Sequence, residues 1–161
     1  QIYFSSTLFG EGFKPAIDMG LSVSRIGSKV QWPAVKRMTG MLQLEFVRYK
    51  ELEKLTRIKA GVSRDVEQRL KKGRVLEELL KQDAHEPVPM EEQVVLLFAL
   101  QCGFLEDVEP EDTRRRLDAL LHHLRTQRPD LLEAIAEKTE LTDEIREDLD
   151  GEIAQFAHSP V

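Results

Sequence analysis

The sequence predicts an all-α protein: a C-terminal bundle of about six helices with a short N-terminal strand and loop attached. Three observations predict it. From Pro33 to Phe156, apolar residues recur at three- and four-residue spacing, the period of an amphipathic helix. Proline and glycine cut that stretch into segments of helical length. Two-residue alternation, around Ile2, Phe4 and Leu8-Phe9, is confined to the start of the chain, so a single strand is expected there.

Each element follows in order. Gly10, Gly12, Pro15, Gly20 and Gly27 punctuate a loop that extends to about Gln31. Pro33 sits where a first helical residue belongs, because its missing N–H costs nothing there. Val35, Met38, Leu42, Phe46, Tyr49, Leu52 and Leu55 then predict one long helix, to about Ile58. Gly61 breaks that pattern, and Ser63 can cap a second helix through Val66, Leu70, Val75, Leu76, Leu79 and Leu80. Pro87 and Pro89 mark a connection. Val94–Leu100 is apolar all round, predicting a central helix buried on most sides and ended by Gly103. Pro110 and Pro129 open two more, through Leu117, Leu120, Leu121 and Leu124, then Leu131, Leu132 and Ile135. Ile145, Leu149, Ile153 and Phe156 make the last.

Composition bounds the function. At 161 residues, 41% hydrophobic and 32% charged, the chain can bury a sizeable core. A net charge of −6 argues against generic nucleic-acid binding, which needs a basic face. No apolar run reaches the roughly 18 residues of a membrane span. One cysteine, Cys102, excludes an intramolecular disulfide and is expected to be an inert buried thiol. His122 and His123 are adjacent, so they diverge by about 100° on a helix and make a poor metal pair. No metal site is expected. Arg114-Arg115-Arg116 reads as a helix face paired with carboxylates, and Asp143, Glu144, Glu147 and Asp148 as charges favoured at a helix start.

The segment Pro15-Ala16-Ile17-Asp18-Met19-Gly20-Leu21-Ser22-Val23-Ser24, followed by Arg25, resembles the signature shared by nucleotide-binding subunits of rotary ATPases. Ser22-Val23-Ser24-Arg25 is similar to its end in the alpha subunit of F-type ATP synthases. Gln1-Ile2-Tyr3-Phe4 and Leu8-Phe9 resemble that family's G-Q-I-Y-L…L-F segment. Tyr49–Leu52 resembles Y-R-E-L, Leu79–Gln82 E-L-L-K-Q, Glu91–Val94 E-E-Q-V, and Gly103–Leu105 G-Y-L. These blocks cover residues 1–105 in family order; residues 106–161 resemble the family only in helical pattern.

The resemblance implies that residues 1–31 are the end of a nucleotide-binding domain and residues 32–161 its C-terminal helical domain. It implies that Arg25 is an arginine finger, reaching the catalytic nucleotide of a neighbouring beta subunit. There its always-charged planar fork would stabilise charge on a transferring phosphoryl group. Ser22 and Ser24 would support it; each also fits a turn residue bonding local backbone. A non-catalytic nucleotide site would involve Lys14, Pro15 and Gln82. Here lysine stands for the family's arginine and Ala84 for a second glutamine, so the resemblance implies weaker binding or poorer base discrimination. Lys14 and Gln82 equally fit ordinary surface residues.

The implied partners are beta subunits and the central gamma rotor, in an alpha3-beta3 head peripheral to the cytoplasmic face of a bacterial energy-transducing membrane. ATP or ADP with Mg would be held by the full subunit; no cofactor is expected in this stretch, which has no G-x-x-x-x-G-K-[ST] phosphate loop. The chain opens on Gln1 and reads as a piece of a larger polypeptide, catalytically inert alone. Gln1–Phe4 is then a strand expected to lack its sheet partners. Gly61–Lys72, mixed in sign, would lie near the rotor shaft, or be a solvated helix start. The run Gly27–Pro33 departs from the family and reads as a divergent paralogue, with proton or sodium coupling undecided. The rival reading is a free-standing helical interaction module.

Overall fold

A computed structural model of the chain describes residues 1–56 and 63–157. Its contacts divide it into two compact units, Gln1–Lys29 with Gly40–Pro87, and Val30–Thr39 with Val88–Val161. Among the described residues the regular structure is helical, and no helix is long and apolar enough to cross a membrane.

The first unit begins with a segment that turns before it can extend into a strand. Ser5 takes an extended conformation and its Oγ accepts the Leu8 N–H at 3.3 Å, capping a short helix, α1 (Ser6–Gly10). The expected N-terminal strand is thereby corrected to one antiparallel bridge, Phe4 with Ile17. Nor is it without partners. Ser5 N–H donates to Ala16 O and Asp18 N–H to Tyr3 O, both at 2.8 Å. The sequence hides the chain's return because residues 11–15 form a loop without strand periodicity.

α2 (Gly27–Val30) is a single turn within the expected loop. The long helix expected from Pro33 is corrected to two, α3 (Pro33–Thr39) and α4 (Leu42–Thr56). Its apolar period continues through Gly40, but glycine is a poor helix former and Thr39 Oγ1 donates to the Val35 carbonyl at 2.9 Å. The break also separates the two units. Leu55, read as part of the stripe, is 61% exposed. Ile58 and Gly61 lie outside the described residues.

α5 (Arg64–Leu80) pairs with α4 in the first unit. Ser63 occupies the cap position but makes no capping hydrogen bond through its side chain. The two helices approach closely at Gly73, where an added Cβ would fall 2.0 Å from the Tyr49 ring. Tyr49 Oη donates to Glu77 at 2.9 Å, and Phe46 packs on Phe13 with centroids 5.3 Å apart.

In the second unit, α6 (Met90–Gln101) is the hub, touching α3, α7 (Thr113–Gln127) and α8 (Pro129–Lys138). Val94, Val95 and Ala99 are fully buried, as an all-round apolar helix requires. Gly103 follows at φ 84°, a left-handed conformation that glycine tolerates. Pro110 opens a 3-10 turn, Pro110–Asp112, that leads into α7 rather than opening that helix itself. α9 (Asp143–Ala157) buries the four expected residues Ile145, Leu149, Ile153 and Phe156.

Candidate functional site

Residues 18–27 form a cross-braced loop with Arg25 at its surface. Asp18 Oδ1 accepts the backbone N–H groups of Gly20 at 2.9 Å and Leu21 at 3.0 Å, the local bonding that makes aspartate a turn former. The Ser22 N–H donates to Asp18 O at 2.9 Å. From the N-terminal segment, Tyr3 N–H donates to Ser22 Oγ at 3.1 Å. Gln1 and Val23 exchange backbone hydrogen bonds, 2.7 Å to Val23 O and 3.1 Å to Gln1 O.

Beyond the arginine, Ser24 Oγ accepts the Gly27 N–H at 2.9 Å. A Cβ on Gly27 would sit 2.9 Å from that oxygen, so the approach requires glycine. Ser24 thus bonds local backbone, whereas Ser22 bonds backbone of the distant N-terminal segment, and each hydroxyl hydrogen remains able to reach another acceptor. Arg25 is exposed and bonds no described residue. Its neighbours Val23 and Ile26 are each 65% exposed.

Two of the three nucleotide-site candidates meet. Gln82 N–H donates to the Lys14 carbonyl at 2.9 Å, joining the exit of α5 to the start of the loop. Lys14 Nζ lies over the Phe9 ring, 5.1 Å from its centroid. Gln82 Nε2 donates to Glu86 O at 2.8 Å, leaving its amide oxygen to accept. Pro15, joined to Lys14 by a cis peptide, and Ala84 are exposed. Lys14 thus offers one positive charge and Gln82 one amide acceptor.

Other sequence candidates take structural places. His122 is exposed, whereas His123 Nε2 is 3.0 Å from Glu152 Oε1 and its ring lies 5.2 Å from Phe156. The Glu152 carboxyl is held below its usual range by the His123 hydrogen bond first and Arg128 next, with burial opposing both. Arg116 stacks over Phe104 and Phe156 and donates to Ala157 O at 3.1 Å.

Cys102 is exposed, not buried as expected, because it follows the last turn of α6. Its sulfur is still shielded enough that burial pushes the thiol pKa up. Gly61 and Val62 lie outside the described residues. Arg64–Lys72 carries an exposed Asp65–Arg69 pair at 3.2 Å. Among the described residues, no three His, Cys, Asp or Glu side chains converge as metal ligands.

Sequence reasoning missed Asp18 and Gln43. An aspartate two residues before Gly20 was a legible turn signal. Nothing in the sequence marked Gln43, whose Nε2 donates to Met19 O at 2.5 Å.

Residues 31–156 match the family described as ATP synthase alpha/beta chain, C terminal domain. The chain belongs to that family. Among its relatives, an ATP synthase subunit alpha of Aquifex aeolicus (strain VF5) is 37% identical over 156 residues, covering 97% of this chain and 31% of the relative. Another, of Clostridium botulinum (strain Eklund 17B / Type B), is 39% identical over the same lengths and shares.

The chain therefore corresponds to a C-terminal alpha-subunit stretch and spans about a third of the length of these curated relatives. A span of 156 in 161 residues must include the Arg25 loop. It also includes most of residues 106–161, where the sequence alone had shown only a helical pattern, so family likeness extends through the bundle.

Proposed function

We propose that this chain is the C-terminal part of the alpha subunit of an F-type ATP synthase, with Arg25 as the finger that serves the catalytic site of a neighbouring beta subunit. In the intact complex it supports ATP synthesis or hydrolysis coupled to proton or sodium transport, within an alpha3-beta3 head around the gamma rotor, peripheral to the membrane. Residues 1–31 complete a nucleotide-binding domain and residues 32–161 form the helical domain. The observation that carries this reading is an exposed Arg25 on a loop whose backbone is bonded on both sides of it. A finger needs both properties, a free guanidinium and a fixed base, because stabilising a transition state depends on preorganisation.

The reaction's nucleotide and Mg are held by the remainder of the subunits. This chain contributes a cation at a set position. Lys14, Pro15 and Gln82 contribute one wall of the alpha subunit's own nucleotide pocket. Lysine there supplies charge without the stacking plane of arginine. The test is Arg25→Ala in the assembled enzyme: turnover should fall on the order of 10³-fold or more while the head still assembles. Arg25→Lys should recover little of it, lacking the planar fork. Near-normal turnover in Arg25→Ala would refute the finger.

A further inference from the structure

Four contacts hold the arginine loop's base and the chain leading into it against one face of α4. Gln43 Nε2 donates to Met19 O at 2.5 Å. One turn on, Phe46 packs on the buried Phe13 at 5.3 Å, and Val47 lies 3.5 Å from where a Cβ on Gly20 would be. A further turn on, Lys50 Nζ is 3.4 Å from Glu11 Oε2. The spacing of Gln43, Phe46, Val47 and Lys50 puts all four on one helical face. That face covers the chain from Glu11 to Gly20, and α4 is itself tied to α5 by Lys50–Glu77 at 3.0 Å and by Tyr49 against Gly73.

Between Met19 and Arg25 the loop has little slack. Gly20, Leu21 and Ser22 have their N–H groups bonded to Asp18, and Val23 has its N–H bonded to Gln1. Met19 lies inside the turn that Asp18 closes, so a displacement of Met19 bears on the turn that leads to Arg25.

We propose that this face of α4 is a positioning surface for Arg25, and that Gln43 is its decisive polar contact. Gln43 is a positioning residue: it touches the loop backbone and reaches the chemistry only through the arginine. The proposal rests on Arg25 acting as the finger. Because a finger acts chiefly at the transition state, a loosened base should lower kcat and leave KM nearly unchanged.

The test is a set of Gln43 variants of the full subunit in the assembled enzyme, each made with Arg25 and again with Arg25→Ala. Gln43→Leu removes the donor and should lower kcat on the order of 5-fold, the equivalent of one neutral hydrogen bond. Gln43→Glu sets an acceptor against the Met19 carbonyl and should lower it further. Gln43→Lys restores a donor and should recover most of the loss. With Arg25→Ala, the three should be indistinguishable. Equal losses in both backgrounds, or a kcat unmoved by Gln43→Glu, would overturn the positioning role while leaving the finger intact. Normal turnover in Arg25→Ala alone would instead overturn the finger, and the positioning role with it.

Discussion

Replacing Gly73 by alanine should destabilise the first unit, although helix propensity alone predicts the reverse. Gly73 lies inside α5, where alanine is better by about 1 kcal/mol. Its new Cβ would fall 2.0, 2.2 and 2.7 Å from three atoms of the Tyr49 ring, distances no side chain tolerates. The ring has nowhere cheap to go. Tyr49 is 5% exposed, its hydroxyl is bonded to Glu77 at 2.9 Å, and Phe46 lies 6.2 Å away on the same helix. Swinging it out forfeits a hydrogen bond of about 1 kcal/mol and much of an aromatic burial of about 2 kcal/mol. Subtracting the propensity gain leaves about 2 kcal/mol of net destabilisation, within the range for overpacked cores.

Urea unfolding followed by far-UV circular dichroism reads this as a lower midpoint. Gly151→Ala in α9 is the control, since a Cβ there meets nothing within 4 Å; it should stabilise by up to about 1 kcal/mol. Shifts of the same sign in both variants would refute the steric reasoning.

Two further outcomes follow from the charged groups of the second unit. Glu152 has a depressed pKa in the fold, so its stabilisation is present above its ordinary value of 4.5 and is lost as pH falls through the lower folded value. Glu152→Gln should flatten the acid limb of stability below about pH 4.5 relative to the unaltered chain; an unchanged limb in pH-dependent urea titrations would exclude the His123–Glu152–Arg128 contact as its source. Arg125→Met should cost about 1–2 kcal/mol by urea unfolding, because it strands Glu92, whose side chain is 7% exposed and accepts two bonds from Arg125 at 2.6 and 2.7 Å. The cost stays below that of a fully buried broken pair because Arg125 is 54% exposed and solvent screens it.

What the sequence made legible was whatever repeats. The helices from Val94 onward each bury an apolar stripe of one period, so Leu120, Leu124, Ile135 and Leu149 could be assigned to the core in advance. Periodicity fails where one residue overrides its neighbours. Gly40 splits a stripe that runs unbroken from Val35 to Tyr49, and Leu55 continues that stripe onto an exposed face. The pairing of Gln1–Ser5 with residues 16–23 was invisible for another reason: it uses backbone bonds and serine hydroxyls, which carry no pattern of hydrophobicity. The same holds for the candidate site. A motif could point to Arg25, Ser22 and Ser24, but Gln43 acts through one carbonyl across 24 residues of sequence, and Gly73 matters only because Tyr49 lies over it.

The surroundings of Arg25 bear on what the loop is for. Among the described residues several arginines meet carboxylates at close range: Arg128 with Asp130 and Glu152, Arg125 with Glu92, Arg115 with Asp112. Arg25 is instead flanked by Val23 and Ile26, two branched apolar residues left largely in water. Such an arrangement is costly for a surface and useful for an interface. When a partner covers the two apolar side chains, water leaves the guanidinium as well, and its attraction for an anion grows as the local dielectric falls. A finger on an open, hydrated loop would be screened and would contribute little. On the proposed reading, Val23 and Ile26 would supply what the charge alone lacks, an apolar collar that dries when the rest of the assembly covers it. The hydrogen-bonded backbone on either side would supply the aim, so on that reading the charge is made effective by assembly.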